Sequence, residues 1–283
     1  VESCVVLVTN HRYLRRCLHT VWQLRTWGQY SGDITILIGD DLAEKSDRME
    51  SSFLRFRVTH FADLPMDDHL AQLSGRRGLG GMEKKKLFQY HKFHLFAPAF
   101  KGYGKILYVD AGMRVMHPIL KILALDCENK IIAHSDAFPD FRTTLESQFN
   151  FLDFPKTEGK LRKLVPGESD YFQTSMMLFD PTIVGEHTVD QLEKLRQEFP
   201  NSKTNDQGII NLWALANELW TPLPTQPEED SGLHFYDFFE RGDRSPRDYI
   251  MLKYPRKPLR KRDQLSDALF SLYWKIFSHK LDS

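Results

Sequence analysis

Between Val5 and Ile38 the chain spells out one folding unit. Val5-Val6-Leu7-Val8 is an unbroken apolar run ending in Thr9-Asn10. A strand with no polar alternation is buried on both faces, as in a parallel sheet. Leu14, Leu18, Val21 and Trp22 follow at i, i+4, i+7 and i+8, one face of a helix. Gly28 stops that helix, and Ile34-Thr35-Ile36-Leu37-Ile38 reads as a second strand. Strand, helix and strand in so short a span make a βαβ unit with a right-handed crossover. That commits the chain to the α/β class.

The rest continues the pattern. Lys105 to Asp110 is a strong strand, and Ile131-Ile132-Ala133 and Met176 to Phe179 are two more. Helical periodicity covers Glu83 to Phe96, Val189 to Glu198 and Asp206 to Ala216. The tail from Gln264 to Lys280 reads as an amphipathic helix bearing Leu265, Leu269, Leu272 and Tyr273. Leu64 to Gly81 is rich in glycine and reads as a mobile loop. It lacks the Gly-Lys-Ser/Thr ending of a phosphate-cradling P-loop, which sets aside an ATPase reading. Three prolines between Pro222 and Pro227 exclude regular structure there. The expected architecture is a three-layer α/β/α sandwich on a mostly parallel sheet, one domain of 283 residues.

Composition narrows the function classes. Lys and Arg number 38 and so do Asp and Glu, so no basic stripe argues for a nucleic-acid binder. Cys4, Cys17 and Cys127 fit no zinc or redox spacing. So sparse a set suits a reducing compartment, and the expected location is cytoplasmic. The alternative is the Golgi lumen, with an anchor removed upstream of Val1. No apolar run approaches the ~20 residues that span a bilayer.

In parallel sheets ligands sit beyond the carboxyl ends of the strands. After the first strand stand Thr9, Asn10 and Tyr13, a hydroxyl, an amide and a ring that either bind a nucleobase or cap the next helix. After the Lys105 strand stand Asp110, Ala111 and Gly112. A carboxylate at a buried strand end needs a partner, either a hard cation or the backbone N–H groups of a turn. Asp206 either caps a helix or faces a ligand, whereas Gln207 beside it has no evident structural duty. Asp136 is a turn residue or an acceptor for sugar hydroxyls. Lys92, near His91 and His94, is either functional or an exposed surface lysine. The basic run Lys253 to Arg262 is a solvated tail or a diphosphate clamp. Phe235, Tyr236, Phe238 and Phe239 are core or an acceptor platform.

Four stretches in order resemble the glycogenin-like glycosyltransferases of family 8, which have the GT-A fold. They are VLVTNHRY from Val6 to Tyr13, KFHLFAPAFKGYGKILYVDAG from Lys92 to Gly112, DYFQTSMMLFDP from Asp170 to Pro181, and DQGIIN from Asp206 to Asn211. The resemblance implies a nucleotide-sugar donor, a UDP-sugar first among candidates, and a glycan or glycoprotein acceptor. It implies a nucleotide-binding half at 1–112 and an acceptor half with the final helix at 113–283. Val8, Thr9, Asn10 and Tyr13 would meet the nucleoside, and Lys92, Ala111, Gly112 and Lys257 the diphosphate side. Asp110 would ligate Mn²⁺ or Mg²⁺, with Arg256 or Lys257 assisting. Asp136, Asp206 and Gln207 would line the donor-sugar pocket, and transfer would retain anomeric configuration. Leu64 to Gly81 would close over the donor as a lid.

The sequence departs from the family in three places. Gly112 stands where the second Asp of Asp-x-Asp belongs, Gln173-Thr174-Ser175 replaces Asn-Ser-Gly, and the late His-x-x-Gly-x-x-Lys-Pro-Trp is absent as such. His117, His234 or a basic residue would then complete the diphosphate site. Two other readings follow: an inactive nucleotide-sugar-binding protein, and a nucleotidyltransferase on a similar fold.

Overall fold

The computed structural model describes residues 2–50, 53–63, 84–136, 144–165, 167–224, 232–257, 259 and 261–282. The expected loop at Leu64 to Gly81, with its Arg76 and Arg77, lies outside them, as do residues 225–227 of the proline-rich stretch, whose first proline, Pro222, closes a strand instead of excluding one.

The elements alternate as the apolar pattern dictates. The strands are β1 (Ser3–Thr9), β2 (Asp33–Ile38), β3 (Arg57–His60), β4 (Lys105–Val109), β5 (Arg114–Val115), β6 (Ile131–Ser135), β7 (Phe172–Phe179), β8 (Trp220–Pro222), β9 (His234–Asp237) and β10 (Tyr249–Leu252). The α-helices are α1 (Leu14–Thr26), α2 (Ser46–Glu50), α3 (Leu120–Leu123), α4 (Pro155–Leu164), α5 (Thr188–Glu198), α6 (Asp206–Ala216) and α7 (Lys261–Asp282). Seven strands form one sheet in the order β3-β2-β1-β4-β7-β6-β8, so β4 is the middle strand. The sheet is mostly parallel, β1 with β2, β2 with β3 and β6 with β8; β6 and β7 run antiparallel. A second sheet, β5-β10-β9, was not read from the sequence. No described helix is long and apolar enough to cross a membrane.

The chain divides into two compact units interleaved in sequence. One holds the described residues of 62–106 and 127–223; the other holds 2–61, 107–126 and 224–283.

In the second of these units α1 buries Leu14, Leu18 and Val21 of the face its spacing predicts, and Leu24 besides, whereas Trp22 is half-buried. It also fixes the loop after β4. The Thr20 hydroxyl donates to the Met113 carbonyl at 3.1 Å and accepts the Gly112 N–H at 3.0 Å. Gln23 Oε1 accepts the Val115 N–H at 3.0 Å. The helix α7 corrects the expected amphipathic face. It turns Phe270, Phe277 and Leu281 inward and leaves Leu265, Leu269 and Leu272 exposed. The large aromatics fill the space against α1, where His19 stacks on Phe270 at 4.5 Å between ring centroids. Leucine spacing alone chose the wrong side.

In the other unit every residue of β7 is buried, and α6 lies along it. The Asn211 carboxamide donates to the Phe172 carbonyl at 2.8 Å and accepts its N–H at 2.7 Å, satisfying backbone groups at the start of β7. Gly208 on α6 packs against Ser202, whose hydroxyl would have to move to admit a Cβ there, 2.5 Å away. The helical pattern at Glu83 to Phe96 forms as a 3-10 helix, Lys84–Phe96, instead of an α-helix. Tyr90 through Phe96 are all buried.

Candidate functional site

Two polar clusters carry the residues that sequence reasoning singled out, one within each unit.

The first surrounds Asp110, the residue directly after β4. Tyr108 donates its phenol to Asp110 Oδ1 at 2.5 Å, and Lys253 donates its ammonium to Oδ2 at 2.6 Å. Lys253 directly follows β10, whose apolar run Tyr249–Leu252 is buried throughout. The ammonium is thus carried to Asp110 by a packed strand, and the pair is largely withdrawn from water. Tyr254 lies beside it, the Lys253 ammonium 5.8 Å from its ring centroid. Partial burial, and then the Asp110 charge, raise the Tyr254 phenol above its ordinary range.

Around this pair lie the β1 residues. Asn10 is the cap that sequence reasoning weighed, for its Oδ1 accepts the Tyr13 N–H at 3.1 Å. Val8 and Thr9 are buried, and the Thr9 hydroxyl donates to the Asn10 carbonyl at 3.2 Å. Their side chains therefore shape the strand end and offer no surface of their own. Tyr13 is half-buried with the Arg16 guanidinium 5.5 Å over its ring. Gly112 has φ of 92°, and a Cβ there would meet nothing nearer than Arg16 at 3.8 Å. The space is open, and the backbone is what favours glycine over a second aspartate.

Two expectations need correction here. Lys257 was expected at the diphosphate, but its ammonium is bonded to the carbonyls of Gly242 and Arg244. Arg256 and Lys257 both donate backbone N–H groups to the Glu240 carboxylate, and the Arg256 guanidinium stacks 3.6 Å over Phe239. These residues tie down their own loop, and Lys253 is the cation that reaches Asp110. Neither suggested histidine is directed there. The His117 ring is bonded to the Arg247 carbonyl at 2.8 Å, and His234 is buried beside Tyr249. Phe235 and Tyr236 are buried in β9, as core.

Among the described residues no group of three His, Cys, Asp or Glu side chains is placed to hold a metal ion. Among the described residues Asp110 therefore has no companions for an all-protein cage. A magnesium-like ion that enters with substrate phosphates needs only one or two carboxylates, which Asp110 fits.

The second cluster sits where the end of β6 meets the start of β7. The Lys92 ammonium is 2.9 Å from Asp206 Oδ2, with side chains 4% and 2% exposed. The Thr174 hydroxyl donates to the same oxygen at 3.1 Å. Lys92 is thus no surface lysine. Nor is Asp206 the cap of α6: that position is Asn205, held at φ of 51°. Gln207 acquires a structural duty, because its Oε1 accepts the Thr174 N–H at 3.2 Å and its Nε2 donates to Gln148 Oε1 at 3.3 Å. Asp136 is half-buried, accepting from the Tyr171 phenol and, at 2.5 Å, from Gln173 Nε2. Asp136, Asp206, Gln207 and Lys92 are therefore linked through consecutive residues of β7, Gln173 and Thr174.

No protein-family model matches the chain, and no curated protein does. Its backbone is similar to those of solved glycosyltransferases. The galactosyltransferase LgtC, solved with donor and acceptor sugar analogs, is 12% identical over 97% of this chain and 99% of its own, with a TM-score of 0.57. The glycosyltransferase GlyE of Streptococcus pneumoniae is 16% identical over 80% of this chain, with a TM-score of 0.51. That match covers 46% of GlyE, so the chain spans about half its length. Core-mannan synthase A of Aspergillus fumigatus, in its Mn/GDP form, is 10% identical over 78% of this chain and 72% of its own, at a TM-score of 0.51. At these identities the likeness is one of fold: with its mostly parallel α/β sheet, the chain has the GT-A fold of these solved glycosyltransferases.

Proposed function

We propose that this chain is a glycosyltransferase that moves a hexosyl or pentosyl group from a nucleotide-sugar, a UDP-sugar in the first instance, to a glycan or glycoprotein acceptor, with retention of configuration. One observation carries the reading. Asp110 directly follows the middle strand of the sheet, at the edge where such folds bind ligands, held between a phenol and an ammonium.

On this reading Asn10 and Tyr13 meet the nucleoside. Ala111 and Gly112 pass close to the diphosphate, and Lys253 and Asp110 manage its charge. Loss of the sugar leaves negative charge on the diphosphate, and a fixed ammonium stabilises it without reorganisation. A divalent ion, Mn²⁺ or Mg²⁺, held by Asp110 and the diphosphate, would add Lewis-acid stabilisation of the leaving group. Asp136 and Gln207 take the sugar-facing roles. Lys92 and Asp206 hold β7 and α6 in register beneath them.

The test is incubation with a panel of nucleotide-sugars and Mn²⁺, reading released nucleoside diphosphate and the anomeric configuration of the product. Slow donor hydrolysis supports a transferase, and Asp110→Ala should reduce it at least tenfold, about 1.4 kcal/mol of barrier. Undiminished turnover in Asp110→Ala removes the central claim. A second reading, a binding protein without turnover, draws on Gly112 and on the engagement of both Asp110 oxygens. It predicts donor binding in a calorimeter with no product from any member of the panel.

A further inference from the structure

The helix α7 has an unusual distribution of charge and apolar surface. A helix on a globular surface normally points its apolar stripe inward and its charges outward. Here the inward side carries Phe270, Phe277 and Leu281 together with the buried Asp263, and Asp267 is half-buried. Asp263 is paired with Arg247, and Asp267 with Arg114 at 2.7 Å and His19 at 2.9 Å. The outward side carries a second apolar stripe. Leu265, Leu269, Leu272 and Ile276 are 62%, 50%, 59% and 57% exposed. Their spacing, i, i+4, i+7 and i+11, lines them along one face. The exposed neighbours on that face are Lys261, Gln264, Ala268, Lys275, His279 and Lys280, and among the described residues no exposed carboxylate of α7 interrupts them.

A stripe of this kind is more than scattered surface leucine. Near its middle Phe53, 64% exposed, stands edge-on to Tyr273 at 4.8 Å, adding a further apolar side chain. The charge decides what the face suits. A twofold contact between copies sets a patch against itself. It would bring Lys261 and Lys275 toward their own copies, and among the described side chains of this face there is no exposed carboxylate beside them. An anionic lipid surface answers both features, taking leucines into the headgroup boundary and lysines among lipid phosphates. The helix is not apolar enough to span a bilayer, so it would lie in the interface plane.

We propose that the outer face of α7 binds the surface of an anionic membrane, with Leu265, Leu269, Leu272 and Ile276 inserted and Lys261 and Lys275 at the headgroups. This rests on the face itself and is independent of the catalytic reading. The test floats the full chain with vesicles of phosphatidylcholine alone or mixed with phosphatidylglycerol, at low and high salt. Recovery with the mixed vesicles at low salt is expected, falling at least about tenfold with phosphatidylcholine alone or at high salt. Leu269→Gln/Leu272→Gln should lose flotation by a similar factor while its thermal unfolding midpoint stays at the parent value. Failure of the parent chain to float with mixed vesicles overturns the proposal, as does equal flotation of the double variant. A concentration-dependent dimer, abolished by the same substitutions and accompanied by no vesicle binding, gives the face to a second copy and overturns it too.

Discussion

The Lys253 ammonium lies 2.6 Å from Asp110 Oδ2, joining residues 143 positions apart in the sequence. The ordinary way to balance a carboxylate at this strand end is a divalent ion. Here a built-in cation already faces it, and Gly112 contributes no second carboxylate. Any ion at Asp110 therefore shares its carboxylate with an ammonium and a phenol. Removing the ammonium as Lys253→Met should tighten Mn²⁺ binding to the protein–UDP mixture about tenfold, the worth of a charge-assisted hydrogen bond. Calorimetric titration of Mn²⁺ reads this directly, and an unchanged affinity would show that the two cations do not compete.

Restoring the missing aspartate should destabilise the chain. Gly112 sits at φ of 92°, where side-chain-bearing residues are strained by about 1–3 kcal/mol. Gly112→Asp and Gly112→Ala should both lower unfolding stability by that order, to similar extents, because the nearest atom to a new Cβ is 3.8 Å away. Urea denaturation of the two variants measures the loss. Parent-like stability in either one would count against backbone strain as the reason for glycine.

The Lys92–Asp206 pair is buried on both sides, its charges answered by each other and by Thr174. Breaking such a pair leaves an uncompensated buried charge and costs about 3–5 kcal/mol. Lys92→Met or Asp206→Leu alone should therefore lower stability by that order. The combination Lys92→Met/Asp206→Leu should recover most of the loss, since an apolar pair of similar volume carries no stranded charge. If single variants lose turnover and keep the parent's unfolding midpoint, the pair belongs to the chemistry and not to the framework.

Acid sensitivity should be traceable to His94. Burial, and then the neighbouring His91, lower its pKa from 6.5 to about 4. The unfolded chain therefore binds a proton more readily than the folded one between those values. Stability is at its plateau above pH 6.5 and falls as pH drops toward 4, with a limiting slope of about 1.4 kcal/mol per pH for one proton. His94→Leu should flatten this part of the curve of unfolding midpoint against pH. A decline of equal steepness in the variant would assign the effect to other groups.

Much of the frame was legible because period and burial agree. The βαβ opening, the β4 strand and the α6 helix at Asp206–Ala216 all formed where the apolar spacing placed them. Asp110 was legible for the same reason, as a charge at the end of an apolar run. Lys253 was not. It belongs to a basic stretch in which Arg256 and Lys257 look equivalent by type. Only the pairing of β10 with β5 and β9 decides which of them is brought to Asp110. A second apolar run, Tyr249–Leu252, ending in a charge was the available signal. The inward side of α7 was hidden differently, since leucine and aromatic stripes run along the same helix and spacing cannot rank them.

The interleaving of the two units carries a consequence for how the molecule is made. One unit closes its sequence by residue 223, whereas the other begins at residue 2 and needs residues beyond 224. On a ribosome, β1, β2 and β3 therefore emerge early and wait for β9, β10 and α7. At about 5–20 residues per second, Asp110 is out on the order of ten seconds before its partner Lys253, 143 residues later. Through that interval a half-made core, with its apolar β1 and β2, is exposed to whatever else is nearby. Truncations or pauses before β10 should thus be felt as aggregation of the amino-terminal strands, far from where the chain was cut.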